Sequence, residues 1–535
     1  DAASAIEEND EGAVAARRAR ELYRLAGRPI EAAGMLLSMS TFPFRSGAAH
    51  AEIGVFGHQA LDEIADLSVT PERERLRAAL LSDLANDLFL SSDLEAARIQ
   101  AVASRDLAES VGDHETVLEG DLMLARIQIG AGRTDAGIRD GMRAAREARD
   151  RGFESVGVTG YRNVAIMAAR VMDYGAAQAA IGEGLQYADA IEQSHCRQMM
   201  ATTLALIDWA SGSWDAADSR ARQELVDRGC RRGVIGALDI IGLVALGRGR
   251  PDEARRWLDE SLATGRTIGE GQLVLTPLWG LAETDLLAGD ADGAIARCRE
   301  GLSIALASEE RALLIPFVVT GVRSFLAARR PDDAERWVTE LRGLLATWQS
   351  TAGPALAHAE GLVRLAAGVT VAARSALESA VNGWDARDRV WDATWARLDL
   401  AAALLRSSRF AEASRWLSEA SDTAHALASG PLLARVAELE RQVRGRGADP
   451  ELWFPLTIRE FEVARLVAAG RTNAQIAEEL FVAPKTVSAH VEHILAKLNV
   501  SRRSEIAAWA ATIARPDGRE RGIGGSTTRA EAIAR

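Results

Sequence analysis

Arg250-Pro-Asp-Glu-Ala254 returns forty residues on as Asp290-Ala-Asp-Gly-Ala294, and forty after that as Arg330-Pro-Asp-Asp-Ala334. Each copy opens on turn-forming residues, ends on a small one, and leads into a stretch rich in Ala, Leu, Arg and Glu. Working back, the same turn stands at Asp93-Leu-Glu-Ala-Ala97, Arg133-Thr-Asp-Ala-Gly137, Asp173-Tyr-Gly-Ala-Ala177 and Ser213-Trp-Asp-Ala-Ala217. Working forward, it recurs at Arg409-Phe-Ala-Glu-Ala413, with a degraded copy ending at Ala373. Successive small anchors lie 40, 40, 40, 37, 40, 40, 39 and 40 residues apart. A period this steady is the mark of a solenoid of helix pairs, none of which can bury its apolar face alone. The small anchor lets the second helix of a pair approach the first closely. In three copies Trp257, Trp337 or Trp416 follows the anchor by one helical turn, and these rings are expected to fill the space between neighbouring pairs.

Between the turns, apolar residues recur at three- and four-residue spacing, as in Val234–Leu246 and Ala393–Leu405, while alternating β-branched runs are nearly absent. An earlier pair spans Ala16–Met39, with its turn at Gly27-Arg28-Pro29 and its anchor at Ala32. Residues 40–90 do not phase with the repeat. The expectation is an all-α chain whose residues 1–448 form a tetratricopeptide-like α-solenoid, with a long concave face for a ligand or partner protein.

A chain of 535 residues exceeds one core, and 48% hydrophobic with 26% charged residues is ordinary for a globular protein. No apolar run reaches the roughly 20 residues that span a bilayer, and the N-terminus lacks the basic and apolar regions of a signal peptide. We therefore expect a cytoplasmic protein that makes no membrane contact. Cys196, Cys230 and Cys298 lack metal-ligand spacing and are read as small buried thiols in helices. His114-Glu115 has no second histidine four residues on, and His195 and Cys196 point apart as helix neighbours. No catalytic residue, metal site or cofactor is expected. The net charge of −13 argues against nucleic acid, yet residues 451–515 carry eight basic against seven acidic side chains and hold both lysines of the chain, Lys485 and Lys497.

That region begins after a Gly/Arg-rich break, Arg444-Gly-Arg-Gly-Ala-Asp-Pro450. Thr457 and Glu460 form a capping box that starts a helix with Phe461, Val463, Ala464, Leu466 and Val467 as its apolar positions, closed by Gly470. Thr472 and Gln475 form a second box, opening a short helix to about Leu480. A turn at Phe481-Val482-Ala483 follows. Pro484 then takes the first position of a third helix, which reaches Leu498, with Asn499 closing it. A fourth helix runs from about Arg502 to Ile513. A short helix, a three-residue turn and a longer helix make a helix-turn-helix. On the third helix Val487, Val491, Ile494, Leu495 and Leu498 face inward. Lys485, Ser488, Ala489, Glu492 and Ala496 make an opposite stripe, small or polar enough to enter a major groove. Thr472, at a helix N-terminus, is placed to meet a phosphate.

Leu456-Thr-x-Arg-Glu460, Asn473-x-x-Ile-Ala477, Lys485-Thr-Val487, His490-Val491 and Ile494-Leu-x-Lys-Leu498 resemble the LuxR-type helix-turn-helix, over about 60 of the 535 residues. The resemblance implies a four-helix domain at 449–515 that binds double-stranded DNA, with 516–535 a flexible tail. It implies base contacts from Ser488, Ala489 and Glu492, phosphate contacts from Lys485 and Thr486, and a dimerisation helix carrying Ile506, Trp509, Ala510 and Ile513. His493, like His490, is a further candidate contact. Glu492 stands where the family often has a basic or polar residue, Ser488 where it often has Lys, and Ala483 where it usually has a capping Ser. Glu492 could accept from a cytosine amino group. With the array, the chain resembles the large ATP-binding LuxR-type regulators. Their nucleotide loop is not in this sequence, whose Gly522-Ile-Gly-Gly-Ser526 lacks the lysine. A start at Asp1 rather than methionine favours the view that an ATPase part precedes this chain. The expected function is transcriptional regulation, in the activating sense by resemblance, with RNA polymerase as a partner and a homodimer on DNA. The alternative is a scaffold whose acidic Glu492 and near-neutral domain mark lost DNA binding.

Overall fold

The computed structural model describes residues 2–46, 50–91, 93–226, 230–307, 311–447 and 456–513, and among them every regular element is helical. Two compact units emerge: residues 1–403 with 416–437, and residues 404–415 with 438–535.

The forty-residue period of the first unit is two identical steps of twenty. Helices Leu94–Ser110, His114–Gly130, Thr134–Asp150, Glu154–Arg170, Tyr174–Ala190 and Ser194–Ala210 are each 17 residues long. Three-residue turns join them. The middle residue of each turn is left-handed, at Gly112, Gly132, Gly152, Met172, Glu192 and Gly212, which reverses the chain within one step. Where the third turn residue is aspartate, its carboxylate accepts the N–H three residues on: Asp93 from Ala96 at 2.9 Å, Asp173 from Ala176 at 3.0 Å.

Ala97, Ala177, Ala217, Ala254, Ala294, Ala334, Ala373 and Ala413 are all 0% exposed, so the small anchors sit where helices press together. At Gly137 the approach is closer still. A Cβ there would lie 2.6 Å from both the Ala125 carbonyl and Ile129 Cγ1, too close for any side chain. The tryptophans divide. Trp337 is buried, lies against Gly321 and donates to the Phe317 carbonyl at 3.2 Å. Trp257 and Trp416 are only half-buried, and Arg256 lies 4.5 Å from the Trp257 ring. Only Trp337 is fully enclosed as expected; in the other two copies the ring is half-buried.

Residues 40–90 escape the phase for a local reason. Helices Pro29–Ser46, His50–Ala65 and Pro71–Leu90 follow one another there. The connection before Pro71 is closed by a buried arginine in place of the twenty-residue turn: Arg73 donates to the carbonyls of Ile64 and Ala65, both at 2.9 Å. Cys196 and Cys298 are buried helical thiols as expected. Cys230 instead precedes helix Arg231–Gly247 and accepts the Gly233 N–H at 3.3 Å.

Contacts across a long sequence separation close the array on itself. Arg389 donates to Tyr174 Oη at 3.3 Å, 215 residues away, and Ser429 Oγ donates to the Gly247 carbonyl at 2.6 Å, 182 residues away. The expected break at 444–450 is not seen where the chain is described. Helix Gly430–Gly447 runs through Arg444-Gly-Arg-Gly447, since two glycines in a last turn weaken a helix without ending it. Residues 448–450, the tail 516–535 and the loop at 522–526 lie outside the described residues.

Candidate nucleic-acid interface

Helices Ile458–Ala468, Asn473–Leu480, Pro484–Leu498 and Arg503–Ile513 build the C-terminal domain. Both expected capping boxes form: Glu460 N–H to Thr457 Oγ1 and Gln475 N–H to Thr472 Oγ1, each at 3.3 Å, with the reciprocal side-chain bonds present. Gly470, Phe481 and Asn499 are left-handed, at φ 76°, 54° and 52°, so each helix stops where the sequence says it should. Leu456, Val463, Ala464, Ile476, Leu480, Val487, Val491 and Ile494 share one core.

Three polar ties hold the helices in register. Lys497 Nζ donates to Glu460 Oε2 at 2.6 Å, linking the third helix to the first. Burial alone would raise the Glu460 carboxyl, but Lys497 and the Thr457 bonds outweigh it and hold the group below its ordinary range. Arg459 donates to the Leu480 carbonyl at 3.0 Å and closes the second helix. Arg503 donates to Asn473 Oδ1 at 2.6 Å, and Asn473 Nδ2 donates to Ser488 Oγ at 3.1 Å. This last chain runs from the fourth helix through the second to the third, and fixes how the third is presented. Sequence reasoning named none of Arg459, Asn473, Lys497 and Arg503 as positioning residues. Their signal was available as polar residues at fixed places in the motif.

Of the expected contact residues, Thr472, Lys485, Thr486, Ala489, Glu492 and His493 are exposed. Lys485, Ala489, Glu492 and Ala496 form one open stripe. Ser488 sits at its edge, half-buried. Its hydroxyl donates to the Pro484 carbonyl at 3.2 Å while accepting from Asn473, so one lone pair is left for a base. His490 is half-buried, and burial, helped by Arg459, holds its ring below the usual histidine range. It is therefore neutral at pH 7 and adds no charge to the stripe.

The fourth helix is placed differently from the expectation. Ile506 is 0% exposed and Ala510 3%, both inside the domain's own core, and Trp509 packs edge-on against Phe461 with ring centroids 6.2 Å apart. Ile506 and Ala510 are thus enclosed by their own domain, while Trp509 stays half-exposed. The exposed positions of this helix are Ser504, Glu505, Ala508 and Ala511. The side chain of Ile513 lies outside the described residues.

The same unit includes the turn at 404–415. Glu462, 1% exposed, accepts the Ala411 N–H at 3.2 Å and pairs with Arg459 at 2.8 Å, while Arg409 lies 4.6 Å from the Phe481 ring. None of Lys485, Ala489, Glu492 and His493 takes part in these contacts.

A capped short helix, a left-handed turn at Phe481 and a proline-started third helix with an open stripe define a helix-turn-helix domain of the kind that enters a groove. The domain is of LuxR type: residues 455–510 match the family model of the bacterial regulatory proteins of the luxR family. The chain is 38% identical over 110 residues to the transcriptional regulatory protein LiaR of Bacillus subtilis, covering 20% of this chain and 49% of that protein. It is 47% identical over 55 residues to the oxygen regulatory protein NreC of Staphylococcus carnosus, covering 10% and 25%. The chain thus spans at most about half the length of these relatives. Among solved structures, a Rap protein complexed with competence and sporulation factor aligns over 69% of this chain and 99% of its own, at 12% identity and a TM-score of 0.45. No helix among the described residues is long and apolar enough to cross a membrane.

Proposed function

We propose that this protein is a DNA-binding transcriptional regulator whose helical array senses a ligand or partner and whose C-terminal domain reads the major groove. The open stripe on helix Pro484–Leu498 carries the reading. Val487, Val491 and Ile494 hold one face of that helix in the core, and the other offers only small or polar side chains, so the backbone can come within reach of base edges. Ala489 and Glu492 read bases, with Ser488 accepting one further hydrogen bond from its fixed place. Lys485, Thr486 and the N-terminus at Thr472 meet phosphates. Two domains occupy paired half-sites, the fourth helices meeting through Ser504, Ala508 and Ala511. The bound protein acts in the cytoplasm as an activator by recruiting RNA polymerase.

Selection of sites from a random duplex pool with the full chain, across a salt series, tests this. The reading expects an enriched motif that shifts on Glu492→Ala. No enrichment even at low salt would leave the array acting as a scaffold.

A further inference from the structure

The first unit holds a cavity of about 650 Å³, within the size that takes a small organic ligand. Its wall comes mainly from six helices taken alternately along the chain, Pro71–Leu90, His114–Gly130, Glu154–Arg170, Ser194–Ala210, Arg231–Gly247 and Gln272–Leu287, with Leu37 of Pro29–Ser46 beside them. Every cavity arginine already has a partner. Arg126 donates to Asn86 Oδ1 at 2.9 Å and lies 4.2 Å from the Phe89 ring, and Arg162 donates to Asn163 Oδ1 at 2.9 Å. Arg170 is bound to Gln272, and Arg232 to Glu270.

Of the wall's carboxyls, Glu119 and Asp239 are in no ion pair among the described residues. Glu119, on the second helix, is bonded to Ser82. Burial, then the like charges of Glu115, Asp113 and Asp83, push it up to about 7. Asp239, on the fifth helix, is an independent observation. It is 7% exposed and, among the described residues, accepts one side-chain hydrogen bond, from Ser261 Oγ at 2.6 Å to Oδ1. Burial pushes it up to about 8. The same wall also carries Leu122, Met123, Met167 and Met199. No group of three or more His, Cys, Asp or Glu among the described residues is placed to hold a metal ion, which points away from a bare divalent cation.

We infer that this cavity binds a linear aliphatic amine with two or more ammonium groups, one received at Glu119, another at Asp239, its methylenes lying on the thioether and leucine floor. Each ammonium gains a carboxylate, and each carboxylate gains the counter-charge its buried place lacks. The inference rests on the sensing half of the proposed function and gives that half a ligand class.

Titration calorimetry of the full chain with spermidine at fixed ionic strength tests it, with putrescine and magnesium chloride in parallel. Saturable spermidine binding is expected, at least tenfold weaker in Glu119→Gln and in Asp239→Asn. Both changes keep the shape of the side chain, and Asp239→Asn can still accept from Ser261, so both variants fold. Lack of spermidine binding at millimolar concentration, equal affinity in both variants, or an equal response to magnesium would each overturn the assignment. A DNA-binding assay of the same samples separates the two readings. Spermidine binding with unaltered DNA affinity keeps the site and removes the coupling, and DNA binding without spermidine binding removes only the site.

Discussion

Asp239→Asn swaps a buried acid for a neutral group of the same shape that still accepts from Ser261. In the folded chain Asp239 ionises near pH 8 because burial disfavours its charge, whereas an unfolded aspartate ionises near 3.9. The folded state therefore keeps a proton that the unfolded state releases. The stability this gives is full below about pH 4 and drains away as pH rises to about 8, at roughly 1.4 kcal/mol per unit. Between pH 5 and 8.5 the wild type should lose about 4 kcal/mol through this one group, and the asparagine variant none of it. Asp87 and Glu119, pushed up to about 6 and about 7, fall with pH in both chains and cancel in the difference. Urea unfolding of both proteins at the two pH values is the assay. The variant should be slightly the more stable at pH 5 and clearly so at pH 8.5. A gap that does not widen with pH would refute the reasoning, since Asp239 would then be ionised at no cost.

Three further outcomes follow from packing and charge. Gly137→Ala puts a methyl within 2.6 Å of the Ala125 carbonyl and Ile129 Cγ1, and should destabilise the array by about 1–3 kcal/mol in urea melts. Asp399→Ala leaves Arg323 buried without its carboxylate, now 2.7 Å away, and strips His358 of a partner at 2.9 Å; a loss of about 3–5 kcal/mol is expected in the same melts. Lys485 is exposed and in no ion pair among the described residues, while Lys497 and Arg459 are bound inside the domain. Lys485→Ala should therefore lower the slope of log affinity for DNA against log salt by about 0.9 per domain, read by fluorescence anisotropy.

Much of this was legible in the sequence where it left a short-range mark. The anchors could be read because only a small side chain fits where two helices touch, and the capping boxes because Thr457 and Glu460, or Thr472 and Gln475, bond within one turn. The second of each pair of turns was missed. At 191–193 Glu192 takes the left-handed conformation that glycine takes at Gly112 and Gly152, and composition does not announce it. Closure through Arg389 and Tyr174 was out of reach, since a contact 215 residues apart leaves no period. In the C-terminal domain the exposed stripe followed from helical spacing. The roles of Ile506 and Ala510 did not, because an apolar residue on a last helix suits an internal core and a partner equally.

The most direct measurement is anisotropy titration of the full chain against its selected duplex and a scrambled duplex of equal length, with wild type and Ala489→Leu. Ala489 is exposed, so the larger side chain leaves the fold intact while holding the helix away from the bases. The account predicts a wild-type preference of at least about a thousandfold for the selected duplex, lost in Ala489→Leu while weak scrambled-duplex binding persists. Equal affinity for both duplexes, or a preference untouched by the substitution, would contradict it.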